Sequence, residues 1–211
     1  MTERVVDAAR GAVRCEHRKV AIVGTGLGRA SAPYGDPAWC VWALNEIPQP
    51  SFTRHFELHP MSKQSGRELA WLAACPAPCY VLDLADAARA GVRGAVQYPL
   101  RRLLDGGFRR YFTCTFAYQI ALALLEGFEE VGLWGVGLHL GSARERLVER
   151  ACVEYWLGVA AGRGVRVSAD SGLAWQPHLY GYDYDLERAH VDGDVVNLVR
   201  VAAVERGWLR A

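Results

Sequence analysis

Lysine is almost missing from this chain of 211 residues: Lys19 and Lys63 are the only two, and arginine supplies the rest of the positive charge. Basic and acidic side chains balance, 24 against 23, for a net charge of +1. No surplus of one sign therefore points to nucleic acid or an anionic membrane as partner. No apolar run reaches the roughly 20 residues of a membrane span. The longest, Thr115 to Leu125, is shorter and holds Gln119. The N-terminus, MTERVVDAARGAVR, alternates acidic and basic residues where a signal peptide carries an apolar core. These absences predict a cytoplasmic protein with no membrane partner. Internal repeats and low-complexity segments are also lacking.

Metal-binding order is a further absence. The cysteines are Cys15, Cys40, Cys75, Cys79, Cys114 and Cys152, and only Cys75 and Cys79 lie close together. A zinc site needs a second ligand pair. His55 and His59 have a suitable spacing but fall on an expected strand, so buried, reduced thiols are the better reading and no metal is expected. No D-x-D carboxylate pair stands at an expected strand end, which predicts metal-independent chemistry.

What is present begins with Lys19 to Glu46, KVAIVGTGLGRASAPYGDPAWCVWALNE. Val20 to Val23 is a β-branched run of the kind buried on both faces of a parallel sheet. Gly24-Thr25-Gly26-Leu27-Gly28 follows at once, and such a turn lets backbone N–H groups approach a phosphate. A second apolar run ends in Asn45-Glu46, where a ribose or base would be held. The dinucleotide fingerprint G-x-G-x-x-G is incomplete, because Arg29 takes the third glycine's place.

Further strands are expected at about 39–45, 52–58, 79–84, 131–136 and 165–168. Helices are expected over 3–12, 64–74, 113–126, 142–162 and 193–207, with short ones near 85–90 and 99–105. Ser65 and Glu68 have the spacing of a capping box. Strands alternating with helices predict one α/β domain over 1–211, three-layered and Rossmann-like, with a mostly parallel sheet of about six strands. Residues 1–17 and 183–211 read as extensions, the latter helical.

The segment Arg54-His55-Phe56-Glu57-Leu58-His59 alternates, so His55, Glu57 and His59 share one face of a strand. His59, nearest the ligand edge of such a sheet, is the candidate catalytic residue, and Glu57 a candidate substrate contact. Thr113-Cys114-Thr115 opens the apolar helix, where free N–H groups and the helix dipole favour an anion. Simple N-capping by Thr113 or Thr115 is the alternative. In the charged run from Arg144 to Arg150, Arg150 borders the apolar half of its helix and is the candidate phosphate contact.

Taken in order, these motifs resemble one group of Rossmann-like transferases. The shared pattern is Trp42-Ala43-Leu44-Asn45, Arg54 to His59, Ala121 to Gly135, Glu145 to Arg150 and Gly158 to Val167. The group includes bacterial sialyltransferases that use a cytidine-nucleotide sugar. It also includes a family resembling archaeal hydroxymethylpterin pyrophosphokinase. The chain looks closer still to phage and prophage proteins of this type, which would place it in a host cytoplasm.

The resemblance implies that Gly24, Thr25 and Gly26 border nucleotide phosphates, that Asn45 contacts ribose or base, and that Cys114 and Thr115 contact the nucleotide. The group's usual Asp after strand five is Gly137 here, and Arg144 stands where the sialyltransferases carry their catalytic histidine. His59, or as second choice His139, is left to supply a base near neutral pH. The expected function is a transferase using a nucleotide or nucleotide-sugar donor, for glycosyl or phosphoryl transfer. A non-catalytic nucleotide-binding or phage accessory protein is the alternative, and an NAD(P)-dependent oxidoreductase the third.

Overall fold

The structure is a computed structural model that describes residues 6–7, 12–13, 18–45, 52–138 and 142–169. The chain divides into two units, Met1–Leu173 and Ala174–Ala211. The second, with the helix expected over 193–207, lies outside the described residues.

The described residues of the expected helix over 3–12 are not helical. Instead β1 (Val6–Asp7) pairs antiparallel with β2 (Ala12–Val13). Valine loses side-chain freedom in a helix and Gly11 costs backbone entropy there, so the strand pairing competes well.

Seven strands form one parallel sheet: β3 (Lys19–Val23), β4 (Trp39–Leu44), β5 (Arg54–Phe56), β6 (Cys79–Val81), β7 (Ala95–Gln97), β8 (Glu130–Trp134) and β9 (Arg166–Ala169). Their spatial order is β7-β6-β5-β4-β3-β8-β9. Among the described residues, five helices flank it: α1 (Gly66–Ala74), α2 (Leu84–Arg89), α3 (Leu100–Asp105), α4 (Thr115–Glu126) and α5 (Arg150–Gly162). This is the expected α/β Rossmann-like class, with β7 added. Ala95–Gln97 is too short and too exposed to show a hydrophobic pattern.

From β3 the chain steps outward through β4 to β7, then returns to the other side of β3 as β8. The crevice beyond the C-terminal ends of β3 and β8 is thus the topological switch point, where open parallel sheets bind ligands. No helix among the described residues is long and apolar enough to cross a membrane.

One face of the sheet packs Ile22, Trp42, Phe56 and Tyr80 against α4 and α5 residues such as Ile120 and Trp156. The other packs Ala21, Val23, Val41 and Ala43 under Ala32, Tyr34 and Phe52, while α1 and α2 cover Cys79 and Val81. Helix α1 begins as the spacing predicts: Ser65 accepts the Glu68 N–H at 3.2 Å and Glu68 accepts the Ser65 N–H at 2.7 Å. Cys75, Cys79, Cys114 and Cys152 are free thiols. Cys40 departs from the expectation of uniformly reduced thiols, being disulfide-bonded.

Strand β5 buries two ionisable side chains on opposite faces. Arg54 is fully buried and donates from Nη1 to both carboxylate oxygens of Glu126, at 2.9 and 2.8 Å. Its guanidinium also lies over the Trp42 and Tyr80 rings, at 4.8 and 5.3 Å. His55 packs against Trp71 with ring centroids 4.7 Å apart, and neither ring nitrogen has a hydrogen-bond partner among the described residues. Burial pushes its pKa down to about 4, so it sits in the core as neutral imidazole.

Two outcomes follow from β5. Glu126→Leu strands a buried guanidinium and should cost about 3 kcal/mol in urea unfolding. The double variant with Arg54→Leu should cost less than the sum of the two singles; additive losses would contradict a coupled pair. For His55, an unfolded histidine ionises near 6.5 and the folded one near 4. Between those values the unfolded chain holds the extra proton, so stability is full above about 6.5 and falls as pH drops toward 4. His55→Phe should flatten that slope, by up to about 1.4 kcal/mol per pH unit.

Candidate functional site

A cavity of about 700 Å³ opens at the switch point, lined from the loops after β3, β4 and β8, the start of α4, and the segment before α5. Thr25, Gly26, Asn45, His59, Cys114 and Thr115 all contribute to its lining.

The glycine turn forms the first wall. Gly24 N–H donates to the Trp134 carbonyl and Gly26 N–H to the Gly135 carbonyl, each at 2.8 Å. A Cβ on Gly24 would lie 2.4 Å from the Gly135 oxygen, and one on Gly26 2.8 Å from it. These glycines are required because the turn and the loop after β8 run in backbone contact, and their amides are consumed there. Gly24 does not line the cavity. The amides of Thr25, Leu27 and Gly28 donate to no protein acceptor among the described residues. Thr25 and Leu27 also line the cavity, so their amides, rather than those of Gly24 and Gly26, are the donors there not committed to the fold.

The start of α4 forms the second wall. Its N-cap is Cys114, with extended backbone and no side-chain capping bond, so neither threonine caps the helix. Thr113 Oγ1 instead donates to the Val148 carbonyl at 3.2 Å. The Thr115 hydroxyl has no protein partner among the described residues. Burial pushes the Cys114 thiol up to about 12, outweighing the Ala117 and Phe116 amides that lower it. It is therefore a neutral thiol and not a nucleophile.

Between these walls stands Asn45, at the end of β4, with φ of 57°. That left-handed backbone alone favours asparagine, and its exposed side chain remains available to a ligand. Opposite, Gly135 and Leu138 also have positive φ, at 63° and 43°, and with Val136 and Gly137 complete the lining after β8. This wall was not singled out from the sequence, although Gly135-Val-Gly137 repeats the signal of the first turn: glycines just beyond a strand.

His59 and Glu57 form a dyad. A Glu57 carboxylate oxygen lies 2.8 Å from His59 Nδ1 and accepts the His59 backbone N–H at 3.0 Å. Glu57 is buried and His59 exposed at the cavity. Glu57 itself does not line the cavity: the chain leaves strand geometry after Phe56, and the carboxylate lies against His59. With Nδ1–H given to Glu57, Nε2 is the nitrogen presented to solvent and ligand.

Arg150 also lies away from the cavity, donating from Nε to Glu154 at 3.0 Å along α5. Arg144 and Glu149 are the lining residues of that segment. His139 lies outside the described residues. No cluster of three histidine, cysteine or acidic side chains stands ready for a metal among the described residues. Comparison with known protein families, curated proteins and solved structures gives no match.

The cavity thus gathers unpartnered amides, a free hydroxyl, an amide side chain and a carboxylate-backed imidazole. Gly24→Ala forces a methyl onto the Gly135 carbonyl and should destabilise the fold by about 2 kcal/mol whether or not a ligand is present. A loss of ligand binding with unchanged melting would return Gly24 to a direct phosphate role.

Proposed function

We propose that this protein is a transferase that binds a nucleotide-activated donor in the cavity, with His59 as the base that prepares the acceptor. One observation carries the reading: the His59–Glu57 dyad faces the same cavity as the unpartnered amides of the glycine turn and the open start of α4. The donor's phosphate would sit between Thr25 and Thr115, with Asn45 on the ribose or base. His59 Nε2 would take the proton of an acceptor hydroxyl while that oxygen bonds to the transferred glycosyl or phosphoryl group. The nucleotide then departs with the electron pair of the broken bond. Glu57 would hold the imidazole in the productive tautomer. Kinship with the sialyltransferase and phage-protein group belongs to this same proposal.

The location we propose is the cytoplasm, where four free thiols fit and the Cys40 disulfide does not.

A non-catalytic nucleotide-binding protein is the second reading. It is favoured by Gly137, which leaves the end of β8 without a carboxylate, and by the commitment of the Gly24 and Gly26 amides to structure. NAD(P) chemistry fits less well. After the turn the chain forms only a single 3₁₀ turn, Arg29–Ser31, instead of the long helix whose N-terminus carries a dinucleotide's pyrophosphate.

A thermal-shift screen with CMP, UDP, their sugars and NAD(P) distinguishes the readings. Nucleotide or nucleotide-sugar binding should raise Tm by roughly 2–6 °C at saturating ligand, and Asn45→Ala should shrink the rise. With a turnover assay in hand, His59→Gln should lose about a hundredfold or more in kcat while keeping the shift. A response to NAD(P) alone would move the assignment to an oxidoreductase. No response to any compound would leave an interaction protein.

A further inference from the structure

Among the described residues that line the cavity, Arg144 is the only arginine or lysine and Glu149 the only carboxylate. They face each other: Arg144 Nε lies 3.6 Å from Glu149 Oε1, with the arginine side chain well exposed and the glutamate mostly covered. At that separation the contact is a loose ion pair rather than a strong hydrogen bond.

Their meeting depends on an irregularity in the helix. Two residues five apart on an α-helix differ by about 500° of rotation, roughly 140° off a shared face. Residues 145–149 form a π-helical turn, whose hydrogen bonds run from i to i+5. A turn of that width brings positions 144 and 149 back to one side. Regular α-helix resumes at Arg150, and there the four-residue pairing returns as Arg150 with Glu154. The widened turn is fastened to the other wall, since the Val148 carbonyl accepts the Thr113 hydroxyl.

We propose that Arg144 is the cation that holds the donor's phosphoryl group, and that its ion-pair partner Glu149 is displaced when the phosphate arrives. The proposal rests on the nucleotide reading above and deepens it. A phosphate presents two or more oxygens to the planar guanidinium, against an approach of 3.6 Å between Arg144 Nε and Glu149 Oε1. Arg144 approaches from the α5 side while the amides of Thr25 and Leu27 approach from the β3 side. Charge developing on the departing nucleotide phosphate would be met by a fixed positive group from this chain. Glu149 gives the site selectivity: without a phosphate, the arginine stays neutralised and a bare nucleoside gains nothing from it.

Isothermal titration with CMP and UDP tests this, with cytidine and uridine as phosphate-free controls. Arg144→Gln should weaken CMP or UDP binding about tenfold or more, the worth of one charge-assisted contact, and leave the nucleosides unchanged. Glu149→Gln removes the competing carboxylate and should tighten the nucleotides about threefold or more, again without effect on the nucleosides. Arg150→Gln should stay within about twofold of wild type. Melting curves of all three variants check the fold. Wild-type nucleotide binding that Arg144→Gln leaves intact would overturn the arginine's role alone. Equal losses for nucleotide and nucleoside would overturn it too, assigning Arg144 to cavity shape. A wild type that binds neither CMP nor UDP would bring down the nucleotide reading, and this proposal with it.

Discussion

Two backbones run in contact at the centre of this protein, and the candidate site exists because they do. Past the last paired residues of β3 and β8, Gly24 and Gly26 continue to bond with Trp134 and Gly135, at distances no Cβ would allow. Strands in a parallel sheet ordinarily part at their C-terminal ends, and ligands enter between them. Here the parting is delayed by two hydrogen bonds and then made abruptly, through a left-handed Gly135. The cavity begins where that contact ends. Thr25 and Leu27, the residues next to the two glycines, take no part in that contact, and their amides donate to no protein acceptor among the described residues. One constraint therefore closes the sheet and leaves a set of donors open.

The same contact shows how far the sequence could be read. A run of β-branched residues followed by glycines was sufficient to place a strand, a turn and the ligand edge. The reason for the glycines was not legible, since a glycine forced by a neighbouring strand and one that admits a phosphate are spelled alike. The Ser65–Glu68 capping box could be read because both its partners lie within one turn of chain. Strand β7 could not, since three half-exposed residues carry no periodicity. In β5 the alternation placed Arg54 and His55 on opposite faces, but Arg54's partner is 72 residues away in α4, and nothing local announces it. Arg150 is the candidate in the sequence because it borders the apolar half of its helix, yet Arg144 is the arginine that lines the cavity. The π-turn that sets Arg144 beside Glu149 leaves no compositional trace.

Helix α4 connects the buried charge to the cavity. Its last residue, Glu126, carries a negative charge at the helix end where the dipole disfavours it. Arg54, buried beneath the sheet's α4 face, supplies the compensation through two hydrogen bonds. Between the helix ends, Gln119 donates to the Ala43 carbonyl at 3.4 Å and the Tyr118 carbonyl accepts the Tyr98 hydroxyl at 2.7 Å. The helix is thus tied to β4, to β5 and to the segment before α3, and its N-terminus has no freedom to drift. That rigidity matters for an anion site, where donors gain most when they need not reorganise on binding. An unpaired arginine in the core would be a liability by itself. Tied to the far end of the helix whose open end lines the cavity, Arg54 helps to fix amides that it never touches.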